Sequence, residues 1–162
     1  MNNIPHEEAL LFKTKRIAIG IESEMNRQLK QYQLTAVQAF LIVHIYRAHS
    51  EGTFVTTLHR EFGVSKATIS GLIKKLREKG YLKITASQED ERHRKIIMTE
   101  KLASHAIVLQ KMIRRLEEQI FGVLTIEEQD TLQILQEKIL LQIMKIEEGK
   151  EYENNIKSTR AV

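Results

Sequence analysis

Apolar side chains recur at helical intervals over most of this chain, and the interruptions carry the residues that begin and end helices. Leu10, Leu11, Ile17, Ile21, Met25 and Leu29 predict a first helix over residues 6–31, weakened by Gly20 at its middle. Leu34-Thr35-Ala36-Val37-Gln38 has the form of a capping box, with Thr35 as N-cap, Gln38 three residues on and Leu34 as a hydrophobic staple. A second helix then reaches about His49 through Val37, Phe40, Leu41, Val43, Ile45 and Tyr46, and Ser50-Glu51-Gly52 ends it. Thr53-Phe54-Val55 is β-prone and short. Thr56 to Phe62 predicts a short helix closed by Gly63. Ser65 is a good N-cap for a fourth helix with Ile69, Leu72, Ile73 and Leu76 on one face, Arg77 and Lys79 near its negative end and Gly80 at its stop.

The period then changes. Tyr81-Leu82-Lys83-Ile84-Thr85 and Lys95-Ile96-Ile97-Met98-Thr99 are short β-prone runs, and the polar stretch from Ala86 to Arg94 between them is a hairpin tip too polar to bury. Thr99 can cap a long helix in which Leu102, Ala106, Leu109, Ile113, Leu116 and Ile120 fall at alternating four- and three-residue steps, a heptad seam. Gly122 closes it, and Thr125-Ile126-Glu127-Glu128 is a second capping box. The last helix, to about Glu148, is apolar nearly all round, so one small domain cannot cover it and a partner chain is expected. Residues 149–162 are polar and predict a frayed tail.

The fold class is therefore mainly α with a small β-wing. The expected organisation is an N-terminal helix over 1–34, a winged helix-turn-helix lobe over 35–99, two long helices over 100–148 that join the first in a dimer platform, and the tail at 149–162. No apolar run approaches the ~20 residues a membrane span needs. The first residues have no secretory pattern, so a cytoplasmic protein is expected. Cysteine is absent, which excludes disulfides, thiolate metal ligands and cysteine-based oxidant sensing.

Charge sharpens the picture. The net charge of +4 is distributed as +1 over residues 1–59, +5 over 60–101 and −2 over 102–162. A basic middle between near-neutral ends points to a polyanion partner for the helix-turn-helix and wing alone. The polar face of the fourth helix carries Ser65, Lys66, Ala67, Thr68, Ser70 and Gly71, then Lys74 and Lys75: slim groups where a helix would meet base edges, cations where it would pass phosphates. Lys66 and Ser70 are the candidates for base edges, and Ser65, Thr68, Lys74 and Lys75 for phosphates. Arg92 and Arg94 at the hairpin tip suit a narrow, negative minor groove, with Asp90 placed to hold Arg92 extended by a charge-assisted bond. The plain alternatives are a capped surface helix and solubilising charge on a turn. The conjunction of helix-turn, capped helix and wing favours double-stranded DNA.

Ser65-x-x-Thr68-x-Ser70, Leu76-x-x-x-Gly80-Tyr81-Leu82, and Asp90-x-Arg92 with Thr99 seven residues beyond the arginine resemble the MarR family of bacterial transcriptional regulators, over roughly residues 6–148. Leu102 departs from the family, which often has glycine just after that threonine. The resemblance implies a homodimer on a pseudo-palindromic operator, a wing-tip minor-groove role for Arg92, and an effector cleft taking a small aromatic or phenolic molecule. Half-sites one helical turn, about 34–36 Å, apart would then meet two recognition helices. Cleft positions are expected on helices one, two and five.

No cofactor is expected, and no phosphate loop, nucleophile elbow or acid–base pair suggests an enzyme. The six histidines contain no pair at metal-binding helical spacing. His44 and His105 could still converge with Glu22 or Glu24 in the cleft, where some family members hold metal, although structural histidines are the commoner outcome. The function expected is a DNA-binding transcriptional regulator, a repressor released by an effector. A metal-responsive regulator of the same fold, or a winged-helix protein-interaction module without DNA binding, stand as alternatives.

Overall fold

The structure is a computed structural model that describes residues 9–85 and 94–159, the side chains of 148 and 150–159 excepted. Helices α1 (Ala9–Leu29), α2 (Ala36–Ala48), α3 (Val55–Phe62) and α4 (Lys66–Glu78) are followed by strands β1 (Leu82–Thr85) and β2 (Lys95–Met98), then α5 (Glu100–Phe121) and α6 (Ile126–Thr159). A single turn of 3-10 helix, Lys30–Tyr32, succeeds α1. The chain divides into two compact units, residues 1–116 and 117–162. Among the described residues no helix is long and apolar enough to cross a membrane.

The first unit contains the winged helix-turn-helix elements together with α1 and most of α5, and its core is set by local chemistry. Thr35 caps α2 with the full reciprocal box: its hydroxyl accepts from the Gln38 N–H, and the Gln38 amide accepts from the Thr35 N–H. Another first-turn donor, the Ala36 N–H, is satisfied from α1 by the Asn26 side chain at 2.7 Å, which ties the two helices together. From α2, Leu41, Ile42, Val43 and Ile45 are buried, and from α4 all four expected side chains, Ile69, Leu72, Ile73 and Leu76, are buried. At about 1.5–3 kcal/mol for each such side chain, the apolar face of α4 fixes which side of that helix is left to solvent. The β-prone stretch after α2 contributes less than its sequence suggests. Thr53 alone bridges to Ile96 of the wing, because Val55 already begins α3.

In the wing, β1 and β2 pair antiparallel with Leu82 opposite Met98 and Thr85 opposite Lys95. Thr99 caps α5 through the Leu102 N–H at 3.3 Å. Leu102 is fully buried there, so the departure from glycine supplies a core side chain and the first turn forms. Most of the heptad seam is covered within the chain: Leu102, Ala106, Leu109 and Leu116 are buried, while Ile113 and Ile120 are half-buried. It therefore does not by itself call for a dimer.

Two other expectations are revised. In α1, Met25 and Leu29 are buried, whereas Leu10 and Leu11, each 80% exposed, and Ile17 face solvent. In the second unit, the Thr125–Glu128 capping box forms, but α6 runs to Thr159, past the tail expected at 149. One glycine costs a helix only about 1 kcal/mol, and the residues after Gly149 include no proline. The apolar residues of α6 remain in solvent, among them Ile139, Leu140 and Leu141, each close to 60% exposed.

Candidate nucleic-acid interface

The exposed side of α4 is built from its two ends inward. At the start, the Ser65 hydroxyl accepts from the Thr68 N–H at 3.0 Å and pairs with the Thr68 hydroxyl at 2.8 Å. The preceding turn is set by Gly63 at φ 63° and by the His59 ring, whose Nδ1 bonds the Val64 carbonyl. At the far end Gly80, at φ 79°, makes a Schellman closure: its N–H donates to Arg77 and the Tyr81 N–H donates to Leu76. The two residues bracketing that closure, Leu76 and Tyr81, are both buried.

Between these ends Lys66, Ala67, Thr68, Ser70, Gly71, Lys74 and Lys75 are all exposed on one face. Among the described residues, no carboxylate pairs with Lys66, Lys74, Lys75 or Arg94. Other cations of the basic stretch are committed to structure. Lys79 reaches the Gln33 carbonyl and the Gln38 amide oxygen, and Lys101 donates to the Lys79 carbonyl at 2.6 Å while lying 4.6 Å from the centre of the Tyr81 ring. Lys79 and Lys101 keep their charge but are held against the protein, whereas Lys66, Lys74 and Lys75 are exposed on the outer face of α4. Arg94 is exposed where it enters β2, while Asp90 and Arg92 lie outside the described residues.

The end of α4 is also bound to the residue that joins the wing to α5. The Thr99 hydroxyl lies 2.8 Å from the Gly80 carbonyl and 2.9 Å from that of Tyr81, and the Thr99 N–H donates to Tyr81. Burial raises the Tyr81 hydroxyl above its ordinary pKa.

A cleft of about 870 Å³ opens beside the helix-turn-helix, lined by residues that include Ile21 and Glu22 of α1, Phe40 and His44 of α2, and Glu61 and Phe62 of α3. Two of its sides come from α1 and α2. The third side comes from α3, and α5 is not among the lining elements. The expected grouping of His44 with His105 and Glu24 does not form. His105 sits edge-on to the Tyr32 and Tyr81 rings and bonds the Lys101 carbonyl. Glu24 is bound to Arg27 and Gln28, and those hydrogen bonds, the one from Arg27 foremost, hold its carboxyl down at about 2. Glu22 alone of those candidates shares the cleft with His44.

His44 instead meets two residues that sequence reasoning passed over. Its Nε2 and the Nε2 of His49 each lie 2.8 Å from the same Glu61 Oε2. Partial burial alone would raise the Glu61 carboxyl, but the hydrogen bonds from His44 and His49 outweigh it and hold the group below its ordinary value. The signal in the sequence was faint. A five-residue histidine spacing does not align two rings on a straight helix, and here His49 is the C-cap residue, beyond the last helical turn.

Residues 32–93 match the model of the MarR family. No curated protein matches the chain. Among solved structures, a MarR protein from Peptoclostridium difficile is similar at a TM-score of 0.79 and 21% identity, over 90% of this chain and 92% of that one. The organohalide-sensing transcriptional regulator RdhR, in its 2,4-dichlorophenol-bound form, gives 0.79 at 19% identity, over 89% and 85%. MepR of S. aureus in complex with DNA gives 0.76 at 17% identity, over 82% and 96%. At these identities the likeness is one of fold, and it covers nearly the whole of each relative.

Proposed function

We propose that this chain, which matches the MarR family over residues 32–93, is a homodimeric regulator that binds double-stranded DNA through α4 and the wing. The observation that carries the reading is the outer face of α4, where small and hydroxyl side chains at the capped end give way to lysines that have no carboxylate partner among the described residues. Lys66 and Ser70 would read base edges in the major groove, and Ser65, Thr68, Lys74 and Lys75 would meet phosphates. Arg92, held by Asp90, and Arg94 would reach the minor groove. The DNA complex of MepR, a protein of the same fold, supports this use of the lobe.

The unburied apolar side chains of α6 and of the start of α1 support a second copy as their cover. Two recognition helices would then suit a pseudo-palindromic operator, and repression would result from steric exclusion of polymerase. The cleft beside His44 is the place for an effector. A small aromatic molecule suits its apolar lining, as the dichlorophenol-bound form of RdhR suggests by likeness of fold. Such a ligand can shift DNA binding only as far as its affinities for the free and DNA-bound arrangements differ.

The test is selection of bound sequences from a random duplex pool, then titration of the selected site. A palindromic consensus bound by the wild type, and relaxed at defined positions by Lys66→Ala and Ser70→Ala, is expected. Failure to bind any duplex in dilute salt would overturn the proposal and favour a protein-interaction module.

A further inference from the structure

We infer that His44, His49 and Glu61 form a binding site for a divalent transition-metal ion of the zinc type, one ion per chain. The three potential ligand atoms, two imidazole nitrogens and one carboxylate oxygen, lie within 4.8 Å of one another. Both nitrogens already point at one oxygen, each at 2.8 Å. Ligand bonds to zinc run about 2.0–2.2 Å, so ligand atoms in a tetrahedral shell sit roughly 3.3–3.5 Å apart. Each nitrogen–oxygen pair therefore needs to open by roughly half an ångström, and the two nitrogens, which lie within 4.8 Å of one another, need to close to the same spacing. Side-chain rotation suffices for that, because Glu61 and His44 are each about one-third exposed.

The chemistry of the set selects the ion. Two imidazoles disfavour magnesium and calcium, which prefer all-oxygen shells, while two nitrogens and a carboxylate suit zinc, cobalt and nickel. One carboxylate cancels half of the ion's charge. Both His44 and Glu61 line the open cleft, which leaves a fourth position free for water or an exchangeable ligand. The rings have limited freedom to turn away: His44 packs edge-on against His49, with ring centres 5.3 Å apart, and against Phe62 at 5.1 Å. The site joins the last turn of α2 to α3 across sixteen intervening residues, so a bound ion would cross-link two elements of the lobe.

The full-length protein, stripped with chelator, is titrated with zinc(II) against a competing chromophoric chelator, and separately with cobalt(II) while its visible absorption is monitored. One zinc per chain, an intense four-coordinate cobalt spectrum and no uptake of magnesium are expected. Glu61→Gln and His49→Ala should each weaken zinc at least tenfold, the lower end of what disturbing even outer-shell groups costs. No binding by the wild type, or zinc affinity unchanged in both variants, would overturn the assignment. Should His49→Ala fail to fold, Glu61→Gln decides, since its side chain is one-third exposed and its amide still accepts a hydrogen bond. None of these readouts involves DNA, so the site stands or falls apart from the regulatory reading.

Discussion

Replacing Lys74 and Lys75 together with glutamine tests whether the exposed side of α4 lies along a phosphate backbone. Both side chains are exposed, and among the described residues neither has a carboxylate partner, so their charge is fully available to a polyanion. Glutamine keeps nearly the same helix propensity, and the buried face of α4 is untouched. Each phosphate neutralised on a duplex adds about 0.9 to the slope of log affinity against log salt. Two lysines on each of two subunits make four contacts, and their loss should flatten the slope by roughly 3.6. Between 50 and 200 mM salt, the wild type should thus lose roughly 150-fold more affinity than the variant. Fluorescence anisotropy on a duplex of arbitrary sequence measures this, because the effect is independent of sequence. Lys138→Gln combined with Lys145→Gln, both exposed on α6, serves as a charge-matched control and should leave the slope near that of the wild type. Coincident slopes for the double variant and the wild type would refute the placement of α4 on DNA.

Other perturbations separate backbone, packing and assembly. Gly80→Ala places a side chain at φ 79° with nothing nearer than 3.9 Å, so urea denaturation should show only the left-handed strain, about 1–2 kcal/mol. Gly52→Ala, at φ 95°, drives its Cβ to 2.8 Å from the Ile96 carbonyl, and overpacking should add about 1–3 kcal/mol; equal losses for the two would contradict that account. Leu140→Glu lies on an exposed part of α6, so sedimentation should show dissociation to single chains with little change in the stability of the first unit; an unaltered assembly would place the dimer contact elsewhere. Arg92→Ala should weaken binding most at operators with A·T-rich flanks, and equal affinities on such sites would remove the wing from the interface.

The features legible in the sequence were those settled within a few residues. Ser65, Thr35 and Thr125 cap their helices as expected, and Gly80 stops α4, because each of these bonds spans three to five residues. The buried face of α4 was readable from periodicity for the same reason. Features that depend on which surfaces finally meet were harder. The seam of α5 looked like an intermolecular contact, yet Leu102, Ala106 and Leu109 are buried in their own chain, since a heptad specifies a narrow stripe and not its partner. Glu61 was silent because its two histidines belong to another element, and its charge had no distinguishing neighbour in the sequence. The cationic face of α4 was legible in outline, but residue counts could not show that Lys79 and Lys101 were already committed to backbone carbonyls.

The anchorage of α4 at its far end has a mechanical consequence. Thr99 holds the carbonyls of Gly80 and Tyr81, and Lys101 holds that of Lys79, so the strand leaving the wing and the first turn of α5 both grip one short stretch of chain. There is little play in such a joint. A twist applied at the first turn of α5 would be passed through these bonds to the end of α4 and the start of β1 together.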